Sequence, residues 1–280
     1  MVSLKPPLFC LCCGSHYFTN VFIYDSPPEG EIMFGFSLSE SYLREVWRCN
    51  LCGHFISIHG MDASTLYNDD YVSSNYRDQD GILDSFKRII SLPPSKSDNI
   101  GRVQRILGFS SSHFVHTPKN LALSVLDVGS GLGVFPCKMQ SVGWDCTALD
   151  PDIRSVEHIR ESVGVKTIHG DFMEIQNIGQ FNVITFNKVL EHVENPINML
   201  AKSLTHLCCD GFVYVEVPDG ELAAIEGEKR EEFFIDHPHI FSLTSLSLLS
   251  TQAGFSAQTI ERIREPSGKH TLRVFLKPTN

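Results

Sequence analysis

The sequence predicts a doubly wound α/β fold with a mostly parallel sheet, preceded by a small cysteine-bearing module. Three observations carry this expectation. From residue 121 onward, short apolar runs alternate with stretches of helical periodicity, the pattern of a parallel sheet covered on both faces. The first run, Val125-Leu-Asp-Val128, breaks into a glycine-rich turn, Gly129-Ser-Gly-Leu-Gly133. Five of the nine cysteines fall within the first 52 residues.

Composition sets the outer limits. At 280 residues, with 42% hydrophobic and 20% charged residues, the chain has the make-up of a soluble globular protein of one large or two smaller domains. No apolar run approaches the roughly 18 residues a membrane-spanning helix requires. The opening Met1-Val-Ser-Leu-Lys-Pro-Pro7 has no basic stretch followed by an apolar core, so no export signal is expected. The formal net charge of −10 argues against nucleic acid as the main partner, because phosphate contacts need clustered Lys and Arg. Nine cysteines without an export signal favour metal over disulfides, in a reducing cytoplasm.

Cys10-Leu-Cys-Cys13-Gly14 and Cys49-Asn-Leu-Cys52-Gly53 are two C-x-x-C-G units with about 35 residues between them. Each C-x-x-C turn sets two thiolates on one side of a tight knuckle, and the glycine relieves the backbone where it turns back. Two facing knuckles make a tetrahedral four-thiolate site, the geometry of closed structural zinc. Residues 1–60 are therefore expected to form a zinc-ribbon-like module with Cys10, Cys13, Cys49 and Cys52 as ligands and Cys12 as a bystander. A redox pair would need a thioredoxin-like βαβ setting, which this segment lacks. Cys137, Cys146, Cys208 and Cys209 fall in apolar surroundings.

Residues 61–120 read as a helical bridge. Ile82, Leu83, Phe86, Ile89 and Ile90 repeat at helical spacing over 80–92, and Pro93-Pro94 ends that helix. A second helix is expected around 100–107. Upstream, Tyr67, Tyr71 and Tyr76 stand in an aromatic, acidic stretch that suits a cleft wall or ordinary half-buried packing.

The α/β part is expected to occupy 121–280. Strand one, Ser124–Val128, leads through the glycine turn into a helix over 135–142. Strand two, 145–149, ends in Asp150, and a helix follows over 153–162. Strand three, Lys166–His169, ends in Gly170-Asp171-Phe172, and strand four covers 182–186. Asn195-Pro196 reads as an N-cap with Pro at the first helical position, and that helix runs to about 207. Strand five is 212–217. Ser242 or Thr244 caps a helix ending near Ala253, with Gly254 as its C-cap. Residues 257–264 and 270–276 close the sheet as an antiparallel pair.

Ligands of such sheets bind outside the carboxyl ends of the strands. Asp127, Asp150, Asp171 and Asn187 fall at or near four such ends, a binding-site pattern and not a core pattern. A dinucleotide loop would read G-x-G-x-x-G. Here Gly129, Gly131 and Gly133 read G-x-G-x-G, Val134 stands where the last dinucleotide glycine belongs, and Asp127 lies two residues before the first. An acid there sits poorly against a pyrophosphate and better against a cationic, phosphate-free nucleoside. Asp150, about 20 residues on, suits a ribose diol in either case.

The stretch Asp127-Val-Gly-Ser-Gly-Leu-Gly133 resembles the first motif of class I S-adenosylmethionine-dependent methyltransferases. Leu149-Asp150, Gly170-Asp171-Phe172, Asn187-Lys-Val-Leu-Glu-His192 with Asn195-Pro196, and His239-Ile-Phe-Ser242 ahead of Ala253-Gly254-Phe255 support it in order and spacing. The resemblance implies a Rossmann-like, mostly parallel seven-stranded sheet and S-adenosylmethionine as cofactor. It further implies that the Gly129, Gly131 and Gly133 loop passes beside the methionine part, with Asp127 near its amino group and Asn187 near the same end. Asp150 would take the ribose hydroxyls, and Asp171 would face the adenine amino group with Phe172 beside the ring. Two cysteine pairs ahead of such a domain resemble methyltransferases with an N-terminal zinc-binding domain, sugar- and glycan-modifying members among them. That likeness implies a small-molecule or sugar-type acceptor.

Methyl transfer is an in-line displacement from a sulfonium, in which the protein positions the acceptor and removes its proton. Histidine is the natural base near neutral pH. The candidates are His192 after strand four, and His237 and His239 beyond strand five. Each is alternatively a loop-anchoring residue, and Glu191 is a further candidate. The charged stretch 219–236 reads as a mobile, solvated lid or as a plain surface loop. Two rival functions stand beside this one. In the first, the zinc ribbon docks a protein or RNA substrate. In the second, the fold is a non-catalytic scaffold, against which the intact Asp127, glycines and Asp150 count.

Overall fold

The computed structural model describes residues 8–31, 42–61, 79–116 and 121–279. Tyr67, Tyr71 and Tyr76 lie outside the described residues. In chain order, strands β1 (Phe18–Tyr24), β2 (Arg44–Cys49) and β3 (Phe55–His59) form an antiparallel meander. Helices α1 (Gln79–Ile90) and α2 (Asp98–His113) follow. Both expected bridge helices are present, the second longer than its periodicity suggested, with the Ser97 hydroxyl accepting from Ile100 N at its start.

The remaining chain alternates strand and helix. Its elements are β4 (Ser124–Val128), α3 (Val134–Ser141), β5 (Asp145–Asp150), α4 (Ile153–His158) and β6 (Lys166–His169). Then come β7 (Phe181–Asn187), α5 (Pro196–Lys202), β8 (Leu207–Pro218), α6 (Gly220–Glu226) and β9 (His239–Ile240). Helix α7 (Leu243–Gln252) and strands β10 (Phe255–Arg264) and β11 (His270–Pro278) close the chain. Where one helix was expected over 153–162, α4 gives way to a π-helical turn, Ile159–Val163, ended by Gly164 at φ 75°.

Seven strands make one sheet in the order β10-β11-β8-β7-β4-β5-β6, parallel from β8 to β6, with β11 antiparallel to both its neighbours. Successive strand residues point to opposite faces, so a sheet covered on both faces needs continuous apolar runs. Leu126, Ile184 and Val213 face the core shared with α5 and α7. Val125, Val183 and Phe212 face the core shared with α2 and α3. A bidentate pair between Arg102 on α2 and Glu216 on β8, both contacts 2.8 Å, fastens α2 to the sheet. Burial alone would raise the Glu216 carboxyl, but the Arg102 guanidinium overrides it and holds the group ionised.

The sheet of the cysteine-bearing module takes in a strand from later in the chain: β9, from beyond β8, is the fourth strand beside β3, with Phe55 opposite Ile240 and Ile56 opposite His239. The stretch 219–236 is folded rather than solvated. Asp219 caps α6, Phe233 and Ile235 are buried, and the Arg230 guanidinium grips Glu232 at 2.6 and 2.9 Å. Of the cysteines expected in apolar surroundings, Cys209 is exposed.

Candidate functional site

The site begins where β4 ends. Gly129, Gly131 and Gly133 have φ of 69°, 50° and 70°, conformations that side chains with a Cβ rarely adopt. A Cβ at Gly129 would lie 2.8 Å from Val189 Cγ2, and one at Gly133 would lie 2.7 Å from Ile159 Cγ1. A Cβ at Gly131 would meet nothing within 4 Å. The outer glycines thus let the loop pack against the segment after β7 and against the end of α4. The middle one faces open space.

Asp127 lies under this loop and is buried. Its Oδ1 accepts from Thr185 Oγ1 and Asn187 Nδ2, each at 2.7 Å. Burial raises its carboxyl above the usual range against those donors. Asn187 Oδ1 is buried without a partner among the described residues. At the end of β5, Asp150 accepts from Gly131 N at 2.7 Å and from Asp152 N at 2.9 Å. Burial pushes its carboxyl up to about 6. The structure therefore brings Asp127, Asn187, Asp150 and the glycine loop together at the carboxyl ends of three adjacent strands.

Asp171 is exposed beyond β6 and accepts from Met173 N at 2.8 Å. Phe172 follows it. It is 2% exposed and turns into the core, edge-on to Phe186, because the apolar ring packs under the sheet while the neighbouring acid takes the solvent side. Thr185 was missed by sequence reasoning. Its signal was the strand alternation itself, which puts a hydroxyl on the same side of β7 as Asn187.

The histidines separate into two groups. His239 pairs across the module seam, with Nδ1 3.1 Å from His54 Nε2 and Nε2 3.2 Å from Glu194 O. Both of its ring nitrogens are thus engaged by the protein, and burial holds its pKa below the usual value. His192 and His237 come together, ring centroids 4.7 Å apart. His192 Nδ1 is 2.8 Å from Asp236 O, and His237 Nδ1 is 3.0 Å from Glu232 O. A carbonyl can only accept, so in the neutral rings both Nδ1 atoms carry the proton and both Nε2 atoms the lone pair. Between Asn187 and Glu191, Lys188 takes φ 61° and sets its Nζ 2.7 Å from Thr271 Oγ1. Burial lowers its pKa.

The four cysteines form a second centre. Sγ of Cys10, Cys13, Cys49 and Cys52 all lie within 4.8 Å of one another, with Cys10 to Cys52 at 3.4 Å and Cys13 to Cys49 at 3.5 Å. Zinc–sulfur bonds of about 2.3 Å in a tetrahedron require sulfurs about 3.8 Å apart, so the donor set fits a zinc ion. Each knuckle repeats the same bonds: Gly14 N to Cys10 O and Gly53 N to Cys49 O, with φ 73° at both glycines. Helix α7 clasps the knuckles at its two ends, through Ser242 Oγ to Cys52 O and Gln252 Nε2 to Cys12 O.

Residues 90–260, more than half of the chain, match a family described as a methyltransferase domain. The chain is also similar to the ubiquinone biosynthesis O-methyltransferases of Rickettsia felis and Rickettsia typhi. It is 25% identical to the first over 160 residues, 55% of this chain and 61% of that protein. It is 24% identical to the second over 149 residues, 51% and 56% respectively. The matches thus span less than two thirds of those relatives. In fold it is similar to magnesium protoporphyrin IX methyltransferase from Synechocystis PCC 6803, with a TM-score of 0.55, 14% identity, and coverage of 75% of this chain and 100% of that one. The 1,6-didemethyltoxoflavin-N1-methyltransferase of Burkholderia thailandensis gives a TM-score of 0.56 and 17% identity, over 85% and 96%. Among the described residues, no helix is long and apolar enough to cross a membrane.

Proposed function

The chain belongs to the methyltransferase-domain family, and on that premise we propose that it transfers a methyl group from S-adenosylmethionine to a small-molecule acceptor, sugar-type acceptors included. The observation that carries the reading is the convergence of Asp127, Asn187 and Asp150 on the open turn at Gly131. The two Asp150 oxygens each accept one backbone N–H and keep lone pairs for a ribose diol. The unpartnered Asn187 Oδ1 suits an ammonium donor, and the space at Gly131 admits the methionine part. Asp171, exposed beyond β6, is the candidate for the adenine end.

When bound, the cofactor supplies an electrophilic methyl on a sulfonium. What remains for the chain is to hold the acceptor in line and to take its proton. His192 is our base, accepting through the ring nitrogen opposite the Asp236 carbonyl. His237 stands beside it. His239, locked between His54 and Glu194, is assigned to holding the seam.

We assign zinc, in a structural role, to Cys10, Cys13, Cys49 and Cys52. A four-thiolate site needs reduced cysteines, which agrees with a cytoplasmic setting. The pairing of β3 with β9 supports a module that shapes the acceptor side over one that docks a macromolecule. Calorimetric titration with S-adenosylhomocysteine tests the cofactor. Saturable binding that Asp150→Ala weakens is expected, and absence of binding rejects the reading in favour of a scaffold. Methylation confined to a protein or RNA held by residues 1–60 would reject the small-molecule acceptor.

A further inference from the structure

Beside the site lies a cluster that the methyl-transfer reading leaves partly unexplained. A carboxylate oxygen of Glu191 and a ring nitrogen each of His192 and His237 lie within 4.8 Å of one another. Glu191 is 1% exposed, and neither of its oxygens has a hydrogen-bond partner among the described residues. A carboxylate taken out of water without donors is strongly unfavourable unless a cation faces it. The ammonium of Lys188 acts on Glu191 through its charge but gives its hydrogen bond to Thr271 Oγ1.

The two imidazoles are prepared for such a cation. Each rests its Nδ1 on a backbone carbonyl, Asp236 O or Glu232 O, the arrangement that orients a metal-binding ring. Asp236 adds negative charge, its carboxylate oxygens 3.7 Å from the His192 ring and 3.9 Å from the His237 ring. The three side chains come from two distant segments. Glu191 and His192 follow β7, on the stretch whose Val189 seats against Gly129. His237 precedes β9, where His239 N approaches Glu191 O at 3.4 Å. The cluster is thus next to the glycine loop, on the side of the folded 219–239 segment.

We propose that Glu191, His192 and His237 form a binding site for a divalent first-row cation, separate from the four-cysteine centre. Two imidazoles and one carboxylate suit zinc, manganese or iron(II) and leave coordination positions open. Its role rests on the methyl-transfer reading: an acceptor hydroxyl on an open position would lose its proton more readily and be held beside the loop. With the ion bound, His192 serves as a ligand in place of its role as base, so the acceptor is an oxygen nucleophile whose proton passes to solvent.

The test uses the full chain with zinc already in the four-cysteine centre. Mn2+ is the probe, because a thiolate site discriminates against it, and a further zinc equivalent is titrated in parallel. Calorimetry should show one additional ion per chain, with affinity reduced at least tenfold in Glu191→Gln and in His237→Gln. The zinc content of the four-cysteine centre and the melting temperature should stay near wild type in both. No additional ion, or one that both variants bind unchanged, overturns the site. S-adenosylhomocysteine is titrated into the same samples. Its binding without a second ion rejects the metal site alone, and a second ion without its binding rejects the methyl-transfer reading alone.

Discussion

Asn187 donates its side-chain amide to Asp127 across 2.7 Å, joining the ends of β7 and β4 through one buried bond. Thr185 Oγ1 donates to the same oxygen. Removing the carboxylate would leave the buried Asn187 amide without that acceptor, at about 1–3 kcal/mol before relaxation, and leave Thr185 Oγ1 only Leu126 O at 3.5 Å. Asp127→Ala should therefore weaken S-adenosylhomocysteine binding by at least about tenfold, since 1.4 kcal/mol is one decade. Calorimetry on folded variant protein checks this, and an unchanged affinity would remove Asp127 from the site.

The glycines should differ from one another. Gly129→Ala and Gly133→Ala each add a methyl to a contact under 3.0 Å and to a positive φ. Both should lower thermal stability by more than the roughly 1–2 kcal/mol that the backbone conformation alone costs. Gly131→Ala meets no atom within 4 Å, so it should lose no more than that conformational cost and still impair cofactor binding. Equal destabilisation by all three would contradict the packing described for the loop.

Asp150 sets a pH window. Its carboxyl is raised by burial from 3.8 to about 6 in the folded chain. Between those values the folded state keeps a proton that the unfolded state has released, so stability falls as pH rises through the interval. It is fully present below 3.8 and reduced by about 3 kcal/mol above 6. Asp150→Asn removes this titration. The stability of the variant relative to wild type should rise from pH 4 to pH 7, as read from urea unfolding at each pH. A flat difference would show that burial does not perturb this group. Over the same window, S-adenosylhomocysteine affinity should fall as pH drops below about 6 in wild type, because the protonated carboxyl accepts less well.

At the four-cysteine centre, Cys10→Ser and Cys52→Ser should lose bound zinc and melt earlier. Cys12→Ser, whose sulfur is outside the four-sulfur set, should keep its zinc. Metal analysis of the purified variants decides this. Zinc retained in Cys10→Ser would exclude that thiolate as a ligand.

Much of the candidate site was legible because it is local. Asp127, the glycines and Asp150 announce themselves through strand ends and turn chemistry that need only their neighbours in sequence. The pairing of His54 with His239 joins residues 185 apart, and no periodicity reports a contact of that range. For the same reason His237 could be nominated as a base but not placed against Glu191. The 219–236 stretch misled because charge counting cannot tell a solvated residue from a paired one. Arg230 with Glu232, and Arg262 with Asp219 at 2.5 Å, are paired.

The edge pairing of β3 with β9 ties the four-cysteine region to the rest of the chain. Severing the chain near residue 60 and losing the first part would leave β9 as an unpaired edge, open to association with other chains. It would also free α7 from the knuckles it clasps. Loss of zinc from the knuckles would be felt as misplacement of His237, two residues before β9 pairs, before any loss of the cofactor loop.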